Sequence, residues 1–240
     1  MHSAPHTVGI LGGMGPAAGA DFARLFVVAC GDRIRALGAP VTDQAYPEHW
    51  LAQVPVPDRM RALHGDTPVQ PLDALLVALG RLTALGARAV AIACNTAHVW
   101  HAPLQQRFPQ VELLHIADEV AQALRAAGVR QACLLATEGT YDSGMYEHSF
   151  ARAGIALHVP DAALRRHLTT GIFRGVKAGR LAFARRRFGW VARRMAQTHP
   201  GSAMVLGCTE IPLALRDAPG LLLVDPAEVL ARALAARAYA

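Results

Sequence analysis

Lysine is nearly missing from this sequence: Lys177 stands alone against 23 arginines. A chain that writes its basic residues almost uniformly as arginine keeps one compact, flexible point charge in Gly175-Val-Lys177-Ala-Gly179, which marks that position as a candidate anion contact. Long apolar runs are absent too. None approaches the roughly 18 residues that span a bilayer, so no membrane segment is expected. The opening Met1-His-Ser-Ala-Pro-His6 has no basic stretch before an apolar core, and no signal peptide is expected there. Cysteine is sparse, at four residues with no CxxC pair, which excludes a disulfide framework and points to reduced thiols in a cytoplasmic setting. Aromatics make up only 6%, and no stacking platform or DNA-reading motif accompanies the net charge of +6. The arginines crowded between Arg165 and Arg194 fall on a helical pattern whose apolar stripe is Phe183, Phe188, Trp190 and Met195, so they read as a solvated helix face. No nucleic acid and no membrane partner is expected.

What remains is globular, with 52% apolar and 18% charged residues. Strand-like runs alternate with helical ones, the pattern of an α/β fold with parallel sheets flanked by helices. A strand near Thr7–Leu11 leads through a glycine turn to a helix over Ala17–Leu37. A second strand is expected at Val41–Ala45, then a Pro-rich loop over Tyr46–Asp58, a helix over Leu72–Leu85 and a strand ending at Cys94. From Glu119 the scheme repeats: helix, strand Gln131–Ala136, a Thr137–Thr140 turn, one helix to about Ala153, further elements and a strand ending at Cys208. Two pseudo-symmetric lobes are expected, residues 1–116 and 117–224, with the active-site cleft between them and a C-terminal helix over 225–240 packing back on the first lobe.

The chemistry concentrates where strands end. Val90-Ala-Ile-Ala-Cys94-Asn95-Thr96-Ala-His98 and Met204-Val-Leu-Gly-Cys208-Thr209-Glu210 are each an apolar run that stops at a thiol and continues into polar groups. Ligands of α/β proteins bind at that end of the strands, and a helix N-terminus there acidifies a thiol. Two such thiols in matched halves suit removal and return of a proton on opposite faces of one carbon. Cys30 and Cys133 lack polar company and read as structural. His98 and Glu210 are candidate proton relays or loop supports, and His115 is open between cleft and core. A zinc site on Cys94 and His98 lacks a second ligand pair. Gly12-Gly13-Met14-Gly15-Pro16-Ala17-Ala18 fits a dinucleotide fingerprint formally but lacks a clear acidic partner, and suits a carboxylate-binding turn. Arg59, placed by Pro57-Asp58, is a candidate fork for a carboxylate.

Together, Gly9-Ile-Leu-Gly-Gly-Met14-Gly-Pro, Pro57-Asp58-Arg59, Cys94-Asn-Thr-Ala-His98, Leu135-Ala-Thr-Glu-Gly-Thr140, Gly175-Val-Lys177-Ala-Gly179 and Gly207-Cys-Thr-Glu-Ile211 resemble the signatures of the aspartate/glutamate racemase family, in that family's order. The resemblance implies a two-lobed fold, a homodimer, and a racemase needing no pyridoxal phosphate, other cofactor or metal. It implies acid/base roles for Cys94 and Cys208. Asn95, Thr96, Thr137, Thr140 and Thr209 would hold the α-carboxylate and amino groups of an amino-acid substrate, with Met14 in the same binding set. Arg59 and Lys177 would lie near the side-chain carboxylate. Tyr46-Pro-Glu48-His49-Trp50-Leu-Ala-Gln53 departs from the family's pattern, which is expected to reshape the side-chain pocket. A decarboxylase or a cis-trans isomerase of a dicarboxylate, and a non-catalytic amino-acid-binding module, are the competing readings.

Overall fold

Val8–Gly12 forms the first strand, β1, and every residue of it is buried. A strand with both faces covered belongs in the middle of a parallel sheet with helices on either side. The computed structural model describes residues 4–240; the first three residues of the opening segment, where no signal peptide is expected, lie outside the described residues. After β1 come α1 (Pro16–Ala36), β2 (His49–Gln53), α2 (Arg59–Leu63), α3 (Pro71–Ala84), β3 (Ala89–Ile92), α4 (His101–Arg107), β4 (Glu112–Leu113) and α5 (Ile116–Ala126). There follow β5 (Gln131–Ala136), α6 (Glu138–Asp142), α7 (Met145–Ala153), β6 (Ala156–His158), α8 (Ala162–Phe173), α9 (Leu181–Thr198), β7 (Ala203–Gly207), α10 (Ile211–Ala214), β8 (Leu223–Val224) and α11 (Pro226–Ala238). Short 3-10 turns occupy Asp43–Ala45, Thr96–Trp100 and Val176–Ala178.

The strands make two four-stranded parallel sheets flanked by helices, ordered β2-β1-β3-β4 and β6-β5-β7-β8. The two orders are the same arrangement written twice. The chain divides into two compact units, one running to Ile116 and resumed by Ala227–Ala240, the other covering Ala117–Pro226. In the first unit α11 is fixed by Arg237 donating to Glu112 at 3.0 Å and Tyr239 donating to the Ala45 carbonyl at 2.9 Å. The core of this unit joins Leu11, Met14, Leu75, Leu79, Val90, Ile92 and Cys94. The second core joins Cys133, Leu135, Ile172, Phe188, Met204, Leu206 and Cys208. Among the described residues no helix is long and apolar enough to cross a membrane.

Three local expectations are corrected. The segment Val41–Ala45 is not a strand: it ends in the 3-10 turn, and the strand sits later, at His49–Gln53, inside what the sequence offers as a Pro-rich loop. Pro40 and Pro47 bracket the earlier segment, while the uninterrupted His49-Trp-Leu-Ala-Gln53 presents free backbone N–H groups to pair with β1. The single helix expected after Thr137 is two, broken where Gly144 adopts φ +62°. On α9, Phe188 and Met195 are buried and Phe183 is half-buried, but Trp190 is 45% exposed. Two residues along a helix turn about 200° from Phe188, so both rings cannot face one core.

Candidate active site

In the first unit the polar candidates gather at the carboxyl ends of the two central strands. Leu11 of β1 lies beside Ile92 of β3, so the Gly12–Gly15 turn and the Ala93–Asn95 bend leave the sheet side by side. Gly13 has φ +96°, and an added Cβ there would sit 2.1 Å from the Val54 carbonyl oxygen; the turn tolerates only glycine. Cys94 lies two residues past β3 and is 6% exposed, sharing its core cluster with Met14. The 3-10 turn at Thr96–Trp100 begins directly behind it, with Asn95 and Thr96 both buried.

His98 does something other than reach the sulfur. Its Nδ1–H donates to the backbone carbonyls of Cys94 (2.9 Å) and Asn95 (3.2 Å). That fixes the tautomer, and the bare Nε2 is buried with no hydrogen-bond partner among the described residues. Burial, helped by His115 and His101, lowers the ring to about 3 from its ordinary 6.5, which favours the neutral ring near pH 7. The three imidazoles stack and meet edge-on, with centroids 4.9 to 6.2 Å apart. His115 therefore belongs to this packed cluster, and His101, which the sequence did not single out, anchors it by binding the Leu113 carbonyl at 2.7 Å.

Arg59 and Met14 are brought together. Asp58 caps α2 by accepting from the Met60 and Arg61 N–H groups, which holds Arg59 at the first helical position. Its guanidinium donates to the carbonyls of Met14 (3.1 Å) and Pro57 (3.2 Å). The arginine thus ties the Gly-rich turn to the segment after β2 and presents a fixed cationic fork at that spot.

In the second unit Ala136 of β5 lies beside Gly207 of β7, so Thr137 and Cys208 are the next residues out on adjacent strands. Thr137 and Thr140 share a hydrogen bond at 3.2 Å between their hydroxyls. Tyr141 pins this turn: its hydroxyl accepts from the Ala136 N–H (2.8 Å) and donates to the Leu134 carbonyl (3.1 Å), and burial pushes its phenol up. No sequence signal separated this tyrosine from others. Cys208 is 6% exposed, and its Sγ donates to Glu210 Oε2 at 3.0 Å. Thr209 reaches the same oxygen at 3.4 Å, while Lys177 holds Oε1 at 2.9 Å. The lone lysine is therefore paired with the residue that touches the thiol. Thiol, carboxylate and ammonium make a linked acid/base set of a kind suited to moving a proton.

Cys30 and Cys133 sit elsewhere, inside α1 and β5, fully buried. Burial drives the Cys30 thiol up to about 12 against a Tyr239 hydrogen bond, and also raises Cys133. Among the described residues no group of three or more His, Cys, Asp or Glu is arranged to hold a metal ion.

The sequence profile of the Asp/Glu/Hydantoin racemase family matches residues 11–234. The chain belongs to that family. A broad-specificity amino-acid racemase of Bacillus subtilis (strain 168) is 29% identical over 143 residues, a match spanning 58% of this chain and 58% of that protein's own length. Among solved structures, an aspartate racemase of Picrophilus torridus superposes with a TM-score of 0.78 at 26% identity, covering 97% of this chain and 94% of its own. An aspartate racemase homologue from Pyrococcus horikoshii OT3 gives 0.76 at 24% identity, with 97% and 99% covered, a likeness of fold. Within the racemase family, then, Cys94-Asn-Thr and Cys208-Thr-Glu occupy matched ends of two identically ordered sheets.

Proposed function

We propose that this protein is a cofactor-independent amino-acid racemase acting on an acidic amino acid, aspartate first, by a two-base thiol/thiolate mechanism. The observation that carries the reading is the Cys208–Glu210–Lys177 set, in which a nearly buried thiol already hands its hydrogen to a carboxylate at 3.0 Å. In this mechanism one cysteine, as thiolate, takes the α-proton and the other, as thiol, returns a proton from the opposite face. Negative charge moves into the substrate's α-carboxylate as the proton leaves, so donors positioned there stabilise the transition state. Asn95, Thr96, Thr137, Thr140 and Thr209 are proposed as those donors, with Met14 lining the same place. Arg59 and Lys177 are proposed to face the side-chain carboxylate, which favours aspartate or glutamate, and the positive net charge helps gather a dianion. Support for aspartate comes from the name of the Picrophilus torridus neighbour, and for wider specificity from that of the Bacillus subtilis relative. Four buried cysteines, none of them in a disulfide, suit a reduced cytoplasmic setting.

The reading is tested by incubating the protein with L-aspartate in D₂O, following the α-proton by NMR and the enantiomers by chiral chromatography. Exchange of the α-proton with formation of D-aspartate is expected. Exchange without the D-enantiomer removes the second base. Loss of a carboxyl group, or no exchange with any acidic amino acid, gives the site to a decarboxylase or a binding module.

A further inference from the structure

Helix α9 carries Phe183, Arg186, Arg187 and Trp190 at i, i+3, i+4 and i+7, one stripe along the helix. That stripe is not the buried one, which holds Ala184, Phe188, Val191, Ala192 and Met195. Beside it stands His167 of α8, whose ring meets the Trp190 indole at 4.6 Å between centroids. The five residues line a hollow of about 400 Å³, within the roughly 300–1,000 Å³ of small-molecule sites. One of its arginines is held in advance. The Arg187 guanidinium lies over the Phe183 ring, 4.6 Å from its centroid, and donates to His167 Nδ1 at 2.8 Å. A guanidinium only donates, so Nδ1 accepts and the imidazole carries its hydrogen on Nε2.

The charge of this face is uncompensated. Between Ala162 and Pro200 the sequence has nine arginines, one lysine and no Asp or Glu. Arg165 and Arg185 reach carboxylates outside these helices, Glu138 at 3.3 Å and Asp217 at 2.9 Å. Among the described residues Arg186 and Arg187 have no carboxylate partner. A solvated helix face accounts for arginines of this kind, but not for an indole 45% exposed and two further rings gathered among them. The sequence offers no stacking platform; one forms when α8 packs on α9 and brings His167 to residues 16 to 23 positions further on. Aromatic faces beside guanidinium forks fit a planar ring that carries a dianion. A base stacks on indole and phenyl faces, and a phosphate monoester accepts paired N–H donors from arginine. A single hollow of this size takes one nucleotide, whereas single-stranded nucleic acid needs a groove that follows its backbone over several.

We propose that this hollow is a binding site for a purine nucleoside monophosphate, with the base stacked on Trp190 and Phe183 and the phosphate held by Arg186 and Arg187. It uses none of the residues assigned to the racemase site. Calorimetric titration of the full chain with AMP at low salt is expected to show one site per chain. Adenosine, which lacks the phosphate, and inorganic phosphate, which lacks the ring, are each expected to bind at least about tenfold more weakly. Trp190→Ala and Arg186→Gln alter exposed side chains, so the thermal melt is expected to stay in place while the AMP dissociation constant rises on the order of tenfold in each. No binding of AMP overturns the proposal, as does binding indifferent to both substitutions. Inorganic phosphate as tight as AMP leaves an anion contact without stacking, and overturns it too. A single-stranded oligodeoxyadenylate that binds far more tightly than AMP gives the face to nucleic acid instead.

Discussion

The surroundings of Cys94 and Cys208 start from the same topology and end in opposite chemistry. Each thiol follows an inner strand of a four-stranded parallel sheet, β3 or β7, each is 6% exposed, and each is followed at once by a short helical turn. Behind Cys208 the first polar partner is charged: Glu210 accepts from the sulfur and is itself held by Lys177. Behind Cys94 the corresponding histidine is buried, its value lowered by that burial, and it spends its one N–H on the carbonyls of Cys94 and Asn95. Sequence reasoning treats His98 and Glu210 as equivalent candidate relays. The structure separates them, because only Glu210 touches its thiol. A duplicated architecture fixes where the sulfur goes, while the residue two or four positions on differs in what it binds: the thiol itself in one half, backbone carbonyls in the other.

The largest expected effect tests whether the two ends act together at all. Cys94→Ala or Cys208→Ala is expected to lower racemisation of aspartate by about 10²–10⁴-fold or more, the scale of a lost acid/base group, whereas Cys30→Ala leaves it within about twofold. Full activity after loss of either thiol breaks the comparison at its root.

The next effect concerns stability. His98 has a folded value of about 3 against 6.5 unfolded, so between those limits the unfolded chain binds a proton that the folded chain refuses. Stability contributed by the neutral ring is complete above about pH 6.5 and is lost as pH falls toward 3, at up to about 1.4 kcal/mol per pH unit. Urea melts at pH 7, 5.5 and 4.5 are expected to show this slope in the wild type and a shallower one in His98→Asn, which keeps a donor near the Nδ1 position. Equal slopes remove the buried histidine as the cause.

A smaller effect separates relay from support. Glu210→Gln is expected to lower turnover about 10- to 100-fold and to reshape the pH–rate profile, since the carboxylate in contact with the thiol is gone. His98→Asn is expected to cost less than tenfold and leave the shape of that profile alone. A profile moved by His98→Asn makes the histidine a proton carrier after all. The smallest effect is read by thiol labelling at pH 8, where Cys30, with its thiol pushed up to about 12, is expected to resist iodoacetamide in the folded protein for as long as the fold persists. Rapid native labelling of Cys30 contradicts that burial.

Much of the site was legible because the thiols and their polar neighbours are adjacent in sequence, and a strand end converts adjacency into position. Thr137 and Thr140 could be read for the same reason, lying one turn apart after β5. The Lys177–Glu210 pair could not, since it joins residues 33 positions apart through a 3-10 turn and α10, and no local pattern reports such a contact. The Arg59–Met14 bond spans 45 positions and was hidden likewise. Strand β2 was misplaced because its five residues alternate only weakly, and an edge strand half open to solvent carries little periodic signal.

By itself, the sequence determined the alternation of strands and helices, the doubled plan and the two thiols, because these follow from short-range periodicity and from residue types that ordinary packing does not place at strand ends. Tertiary structure alone decided that His98 supports a loop, that Glu210 and Lys177 form a unit with Cys208, and that Trp190 faces outward. Those outcomes depend on which surfaces meet after the chain has folded back over tens of residues. The free energies that select them reside in desolvation and long-range contacts, which leave no mark on a local window.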